Sequence, residues 1–145
     1  MDNTKKEIII TALSYIGTKG IQGQKSNPTI LDFFKKSFFS GVQNDDVAWC
    51  SAFVNAICSI LKLPMSYDLL ARSWLNVGIE TKKPEMGDLA IFWRGSKNAS
   101  TGHVGFFIGE FNDSIYVLGG NQNNEVNISL FPKYQLLGYR SLIIK

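Results

Sequence analysis

Apolar residues recur at spacings of three and four along the first part of the chain, a pattern typical of helices that bury one face. We predict a first helix that Thr4 caps and Gly17 ends, and a second that runs from Thr29 to Phe39. Their apolar positions are Ile8, Ile9, Ala12, Leu13 and Ile16 in the first, and Ile30, Leu31, Phe33, Phe34 and Phe38 in the second. The glycine-rich residues between them, 17–28, are predicted to form a surface loop.

A longer apolar run follows, and it is the most buried element that the pattern predicts. Residues 49–61 are apolar at nearly every position, so we predict a third helix that begins near Trp49 and is buried on most faces. Three polar residues before it can cap such a helix: Asn44, Asp45 and Asp46. The helix must end before Pro64, because the residue preceding a proline is pushed out of helical geometry.

The second half of the chain changes from helical spacing to short apolar runs separated by turns. A short fourth helix is predicted over 69–75, capped by Ser66 or Asp68 and ended by Gly78. From Gly87 onwards we predict strands at 89–93, 103–109, 115–118, 126–130 and 136–144. Helices followed by hairpin-linked strands indicate an α+β fold, in which N-terminal helices pack on an antiparallel sheet of about five strands.

Composition limits the domain count and the partners. The chain has 145 residues, 45% of them hydrophobic and 19% charged, which suits a single domain spanning 1–145. No apolar run is long enough for membrane insertion, and we recognise no signal peptide. The net charge of +3 comes from scattered lysines, so nucleic-acid binding is not indicated. One histidine and two cysteines cannot form a zinc site, and we expect neither metal nor cofactor.

Cys50 is the candidate nucleophile. It falls in the first turn of the third helix, where unpaired backbone N–H groups and the positive end of the helix dipole favour a thiolate. The charges of Asp45 and Asp46 oppose this effect, so a base is still required. The alternative is that Cys50 is a small buried apolar residue, as we expect for Cys58 on the same helix.

The remaining groups of a cysteine hydrolase are a base and a polar residue that orients it. His103 is the only histidine, and it begins a predicted strand where its ring can project towards a helix N-terminus packed on the sheet. The strand 115–118 should pair with the His103 strand, which returns Asn121 and Gln122 to the side of the ring. We favour Asn121 and keep Gln122 as the second choice. A surface histidine and ordinary turn residues remain the alternatives.

These residues form five motifs: AWCSAFV (48–54), ARSWL (71–75), GDLAIF (87–92), GHVGFF (102–107) and LGGNQ (118–122). In this order the chain resembles the NlpC/P60-like and CHAP-like cysteine peptidases, especially a small phage and bacterial branch of endolysin-like enzymes. It departs from their pattern at Gly20, where relatives tend to carry an acidic residue. It also departs at Gly119, where CHAP members often carry a glutamate.

The resemblance implies a papain-like α+β core with Cys50 as nucleophile, His103 as base and Asn121 as the third catalytic residue. Such enzymes cleave amide bonds of peptidoglycan through a thioester, either within the stem peptide or at its junction with the sugar. We expect four further residues to bind substrate: Trp49, Trp74, Trp93 and Gln122. Burial in the core is the alternative for each tryptophan.

The expected partner is the peptidoglycan peptide, and we expect a monomer. One alternative is a secreted antibacterial effector with the same chemistry and a cognate immunity protein. Others are a degenerate domain that only binds wall fragments and, ranked lower, a transferase that passes the thioester to an amine. We expect the protein to be made in the cytoplasm and to act on the wall, in the periplasm or outside the cell, after non-classical export or lysis.

Overall fold

A computed structural model describes residues 2–21, 26–39, 41 and 48–143. The helices are α1 (Asn3–Leu13), α2 (Pro28–Lys36) and α3 (Cys50–Leu61), and two short 3₁₀ helices span Ala71–Asn76 and Lys133–Gln135. The strands are β1 (Ile79–Thr81), β2 (Leu89–Trp93), β3 (Gly102–Phe111), β4 (Ser114–Gly119), β5 (Asn127–Pro132) and β6 (Leu136–Ser141). The predicted capping residues 44–46 lie outside the described residues.

The strands form one antiparallel sheet in the order β1-β6-β2-β3-β4-β5. The α+β class with helices ahead of an antiparallel sheet is therefore confirmed, with six strands where about five were predicted. The additional strand is β1, which has three residues and pairs only with β6. Its sequence Ile-Glu-Thr is too short and too polar to show a strand pattern.

The first two helices begin and end at other residues than those predicted. Asp2, not Thr4, caps α1: its carboxylate accepts the Thr4 backbone N–H at 2.7 Å. The helix ends at Leu13, four residues before Gly17. Helix α2 is capped by Asn27, begins at Pro28 and ends at Lys36. Phe38 therefore lies beyond it, with a left-handed backbone (φ 68°) and an exposed side chain instead of a place in the core.

Helix α3 is the centre of the core. It begins at Cys50 and ends at Leu61, before Pro64 as predicted, with Lys62 in the left-handed conformation that terminates it. All nine residues from 50 to 58 are buried, which explains why the sequence is apolar on nearly every side. The helix packs between Phe33 of α2 and one face of the sheet, where Phe53 meets Phe106 with ring centroids 6.2 Å apart.

The segment after α3 is a 3₁₀ helix instead of the predicted short α-helix. It spans Ala71–Asn76, and the Asp68 carboxylate accepts the Leu70 N–H at 2.8 Å just before it. The segment is tied to α3 through Ser51, whose hydroxyl donates to the Asp68 carbonyl at 2.6 Å. This connection holds residues 68–76 against the N-terminal turn of α3. Among the described residues, no helix is both long enough and apolar enough to cross a membrane.

Candidate active site

Cys50 opens α3 and faces a small cavity. Its side chain is buried but lines a hollow of about 180 Å³, together with Ala48, Leu69, Leu70, Ala71, Arg94, Thr101 and Gly102. The second cysteine, Cys58, lies two turns further along the same helix and is fully buried. Only the first thiol can therefore meet a ligand in this cavity. Three larger hollows, of about 270, 290 and 210 Å³, are lined among the described residues by neither cysteine nor histidine.

Burial controls the ionisation of Cys50. It raises the pKa of the thiol above its ordinary value. Hydrogen bonding from the backbone N–H groups of Val104, Ser51 and Cys50 itself, and the positive charge of Arg94, lower that pKa without cancelling the effect of burial. The thiol is therefore protonated at neutral pH, so the helix terminus alone does not activate it and a base is needed.

His103 lies at the start of β3 and is almost fully buried. Burial lowers the pKa of its ring to about 4; the charge of Arg94 acts in the same direction, whereas the hydrogen bond with Gln122 raises it. The ring also stacks on Phe131, with centroids 4.6 Å apart and planes at 12°. At neutral pH the imidazole is consequently neutral, which is the state that can accept a proton.

Gln122 fixes which ring nitrogen carries the hydrogen. Its Oε1 lies 2.9 Å from Nε2 of His103, while its Nε2 donates to the carbonyls of Val117 and Asn127 at 3.1 and 2.9 Å. Because the amide nitrogen is bound to these two acceptors, Oε1 must face the ring and accept the Nε2–H of the imidazole. Nδ1 is then the basic nitrogen, and it has no hydrogen-bond partner among the described residues.

Gln122, the second choice from the sequence, takes the place that was predicted for Asn121. Asn121 lies in the turn after β4 with a left-handed backbone (φ 55°), and its side chain makes no hydrogen bond to the ring. Two backbone hydrogen bonds between Gln122 and Glu125 close this turn. The side chain that reaches His103 is therefore that of Gln122, the residue after Asn121. A Cβ on Gly119 would overlap Gln122 Oε1, so the glycine at the CHAP glutamate position makes room for this amide.

Cys50 lies against the segment that carries His103. Gly102 lines the same cavity as the thiol, and the backbone N–H of Val104 is close enough to lower the pKa of the thiol. His103 stands between these two residues in β3. No hydrogen bond joins its Nδ1 to the sulfur in this structure. The ring instead stacks on Phe131, which packs with Phe92 in the apolar cluster that contains no α3 residue. Catalytic hydrogen bonds are commonly long before substrate binds, and a cysteine mechanism requires the ring to reach the sulfur.

The predicted role of two tryptophans in substrate binding is wrong. Trp49 and Trp74 are 0% exposed and belong to the core around α3, because their large apolar rings are buried there. Trp74 donates its indole N–H to Ser51 at 2.8 Å and so supports the turn that holds Cys50. Trp93 is half-buried at the end of β2, where it contacts Tyr134 with centroids 5.9 Å apart. It does not line the Cys50 cavity.

Sequence reasoning missed two arginines at this site. Arg94 follows β2 and lines the cavity. Arg72 donates to the carbonyls of Thr101, Lys97 and Ser96 at 2.8, 2.8 and 3.0 Å and so holds the loop between β2 and β3. A lone arginine in a polar loop gives no pattern signal, although Arg94 directly precedes the loop that leads to the histidine. Within the described ranges, no three histidine, cysteine or acidic side chains form a metal-binding group.

No protein-family model and no curated protein matches the chain, but solved structures do. An NlpC/P60 family protein from Bacillus cereus is 18% identical with a TM-score of 0.58, over 95% of this chain and 40% of that one. NlpC1 from Trichomonas vaginalis is 16% identical with a TM-score of 0.58, over 99% and 45%. The P60 domain of an antigen from M. avium paratuberculosis is 16% identical with a TM-score of 0.54, over 97% and 94%.

These likenesses show the fold. The chain has an NlpC/P60-like α+β fold, as its motifs predicted. It spans less than half the length of the first two proteins and nearly the whole of the P60 domain.

Proposed function

We propose that this chain, with its NlpC/P60-like fold, is a cysteine hydrolase that cleaves an amide bond of peptidoglycan, within the stem peptide or at its junction with the sugar. One observation carries the proposal. A cavity-facing thiol lies against the backbone on both sides of a buried histidine, and Gln122 holds that histidine in the tautomer whose Nδ1 can accept a proton. If Cys50 only filled the core, neither a cavity beside its thiol nor a buried imidazole in the neighbouring strand would be expected.

The chemistry begins from a neutral pair. As the Cys50 sulfur attacks the amide carbonyl carbon, Nδ1 of His103 takes the thiol proton, and the carbonyl oxygen becomes an oxyanion. The backbone N–H of Cys50, at the start of α3, then donates to that oxyanion. The imidazolium formed on His103 still donates its Nε2–H to Gln122, which stabilises the charge in a buried site.

The second half of the reaction returns the enzyme to its first state. His103 gives its proton to the leaving nitrogen as the C–N bond breaks, which leaves a thioester on Cys50 and a free amine. Water then attacks the thioester with His103 as base, and the sulfur leaves and regains its proton. The products are a carboxylic acid and an amine. Leu69, Leu70 and Ala71 form an apolar wall of the cavity beside the thiol.

The test is the release of new amines from purified peptidoglycan, followed by mass spectrometry of the fragments to identify the bond. We expect release by the unaltered protein and none by Cys50→Ala or His103→Ala. Thermal unfolding of each variant controls for folding, because both positions are buried. Undiminished release by either folded variant would defeat the proposal. A product that gains the mass of an acceptor amine, in place of water, would identify a transferase.

A further inference from the structure

Arg94 is the charged residue of the Cys50 cavity. Ala48, Cys50, Leu69, Leu70, Ala71, Thr101 and Gly102 are the other described residues that line it, and none of them carries a charge at neutral pH. Within the described part of the chain, the guanidinium of Arg94 forms no hydrogen bond or ion pair. An arginine without a partner beside a reactive thiol has its full binding capacity available for a ligand.

The backbone of Arg94 is held firmly although its side chain is free. Its carbonyl accepts the Thr101 hydroxyl at 2.8 Å, and its N–H donates to the Thr101 carbonyl at 3.4 Å. Arg72 in turn holds the far side of the same loop with its three hydrogen bonds to carbonyl groups. The two arginines therefore have different tasks. Arg72 uses its guanidinium to hold the loop between β2 and β3, and Arg94, at the start of that loop, keeps its guanidinium available for a ligand.

The Arg94 side chain is exposed, and the cavity limits the size of a group that can contact both Arg94 and Cys50. Its volume of about 180 Å³ is below the roughly 300–1,000 Å³ of a complete small-molecule site, so it accommodates one small group and not a whole ligand. A group held by the guanidinium must therefore lie within about one residue of the scissile bond. A planar carboxylate matches the paired N–H groups of arginine, and the partly enclosed cavity strengthens the attraction.

We propose that Arg94 binds a substrate carboxylate next to the scissile amide, so that the protein selects peptides with a free carboxylate over those in which it is a carboxamide. This inference rests on the proposed function for its substrate. It assigns Arg94 as a specificity-determining residue. The charge of Arg94 also acts on the ring of His103, so a carboxylate that neutralises it raises the pKa of that ring.

Binding to a variant that cannot turn over gives the cleanest test. Cys50→Ala protein is titrated by calorimetry with the tripeptide L-Ala-γ-D-Glu-L-Lys, with its glutamyl α-carboxamide and with its C-terminal carboxamide. We expect at least one carboxamide to bind about tenfold more weakly, as for loss of a charge-assisted pair. Adding Arg94→Gln should remove that difference, whereas Lys97→Gln, which removes an exposed charge from the same loop, should leave it.

A second readout is the ring of the single histidine, followed by NMR. The preferred tripeptide should raise the pKa of His103 with Arg94 present and not with Arg94→Gln. Equal binding of all three peptides, absence of binding, or a preference that survives Arg94→Gln would overturn the inference. Discrimination by Cys50→Ala without any cleavage by the unaltered protein would refute the proposed function alone. Cleavage of all three peptides at equal kcat/KM would refute the inference alone.

Discussion

Acidification should destabilise this protein in part through the protonation of His103. Its folded pKa of about 4 lies below the roughly 6.5 of an unfolded histidine. As pH falls through 6.5, the unfolded chain binds the proton first. The contribution of neutral His103 to the free energy of unfolding is therefore fully present above pH 6.5 and is lost as pH falls from 6.5 to 4. A difference of about 2.5 pKa units at about 1.4 kcal/mol per unit makes the complete loss about 3.5 kcal/mol, of which about 3 kcal/mol is reached at pH 4.

The assay is urea unfolding at several pH values between 7 and 4, for the unaltered protein and for His103→Gln. Carboxylates titrate in the same range, but their contribution is common to both proteins and cancels in the difference. We expect the free energy of unfolding of the unaltered protein to fall by about 3 kcal/mol more than that of the variant. Because the chain has one histidine, NMR gives its pKa without ambiguity. A pH-independent difference, or a folded pKa near 6.5, would refute the burial argument.

Three further substitutions have defined outcomes. Gln122→Leu removes the acceptor of the imidazole N–H and should lower kcat about 100-fold. Gln122→Glu should raise the pKa of the ring and so move the acid limb of the pH–rate profile to higher pH. An unchanged kcat in the first variant or an unchanged profile in the second would contradict this role of Gln122. Gly119→Ala should reproduce the kcat loss of Gln122→Leu, because the added Cβ displaces that amide. Lys5→Met leaves the buried Asp88 carboxylate without its cation, 3.1 Å away, and should cost about 3 kcal/mol in urea unfolding. Lys6→Met, at an exposed position, is the control and should have little effect.

The helices and strands were predicted best where the apolar pattern was continuous and a proline or a turn marked its end. Helix α3 was identified because apolar residues fill nearly all its positions and Pro64 limits its length. Strands β2 to β4 were identified because they are apolar and lie between clear turns. Strand β1 was missed because a short polar edge strand depends on its pairing with β6, which no local pattern records.

The site was predictable in its residue types and less so in its geometry. Cys50 and His103 could be paired from the sequence because a catalytic thiol needs a base and the chain has one histidine. The choice between Asn121 and Gln122 depended on the left-handed turn after β4, which the sequence did not specify. The tryptophans were ambiguous because a large aromatic ring suits both a groove and a core. Arg94 became recognisable only when the fold placed a distant loop beside the N-terminus of α3.

The most direct test of the account is alkylation of the folded protein with iodoacetamide, with labelling at each cysteine followed by peptide mass spectrometry and amine release from peptidoglycan measured in parallel. Cys50 faces the cavity, whereas Cys58 is fully buried and burial raises the pKa of its thiol strongly. We predict that Cys50 is labelled, that Cys58 is not, and that amine release falls in proportion to labelling of Cys50. Protein fully labelled at Cys50 that still released amines at the original rate would contradict the account.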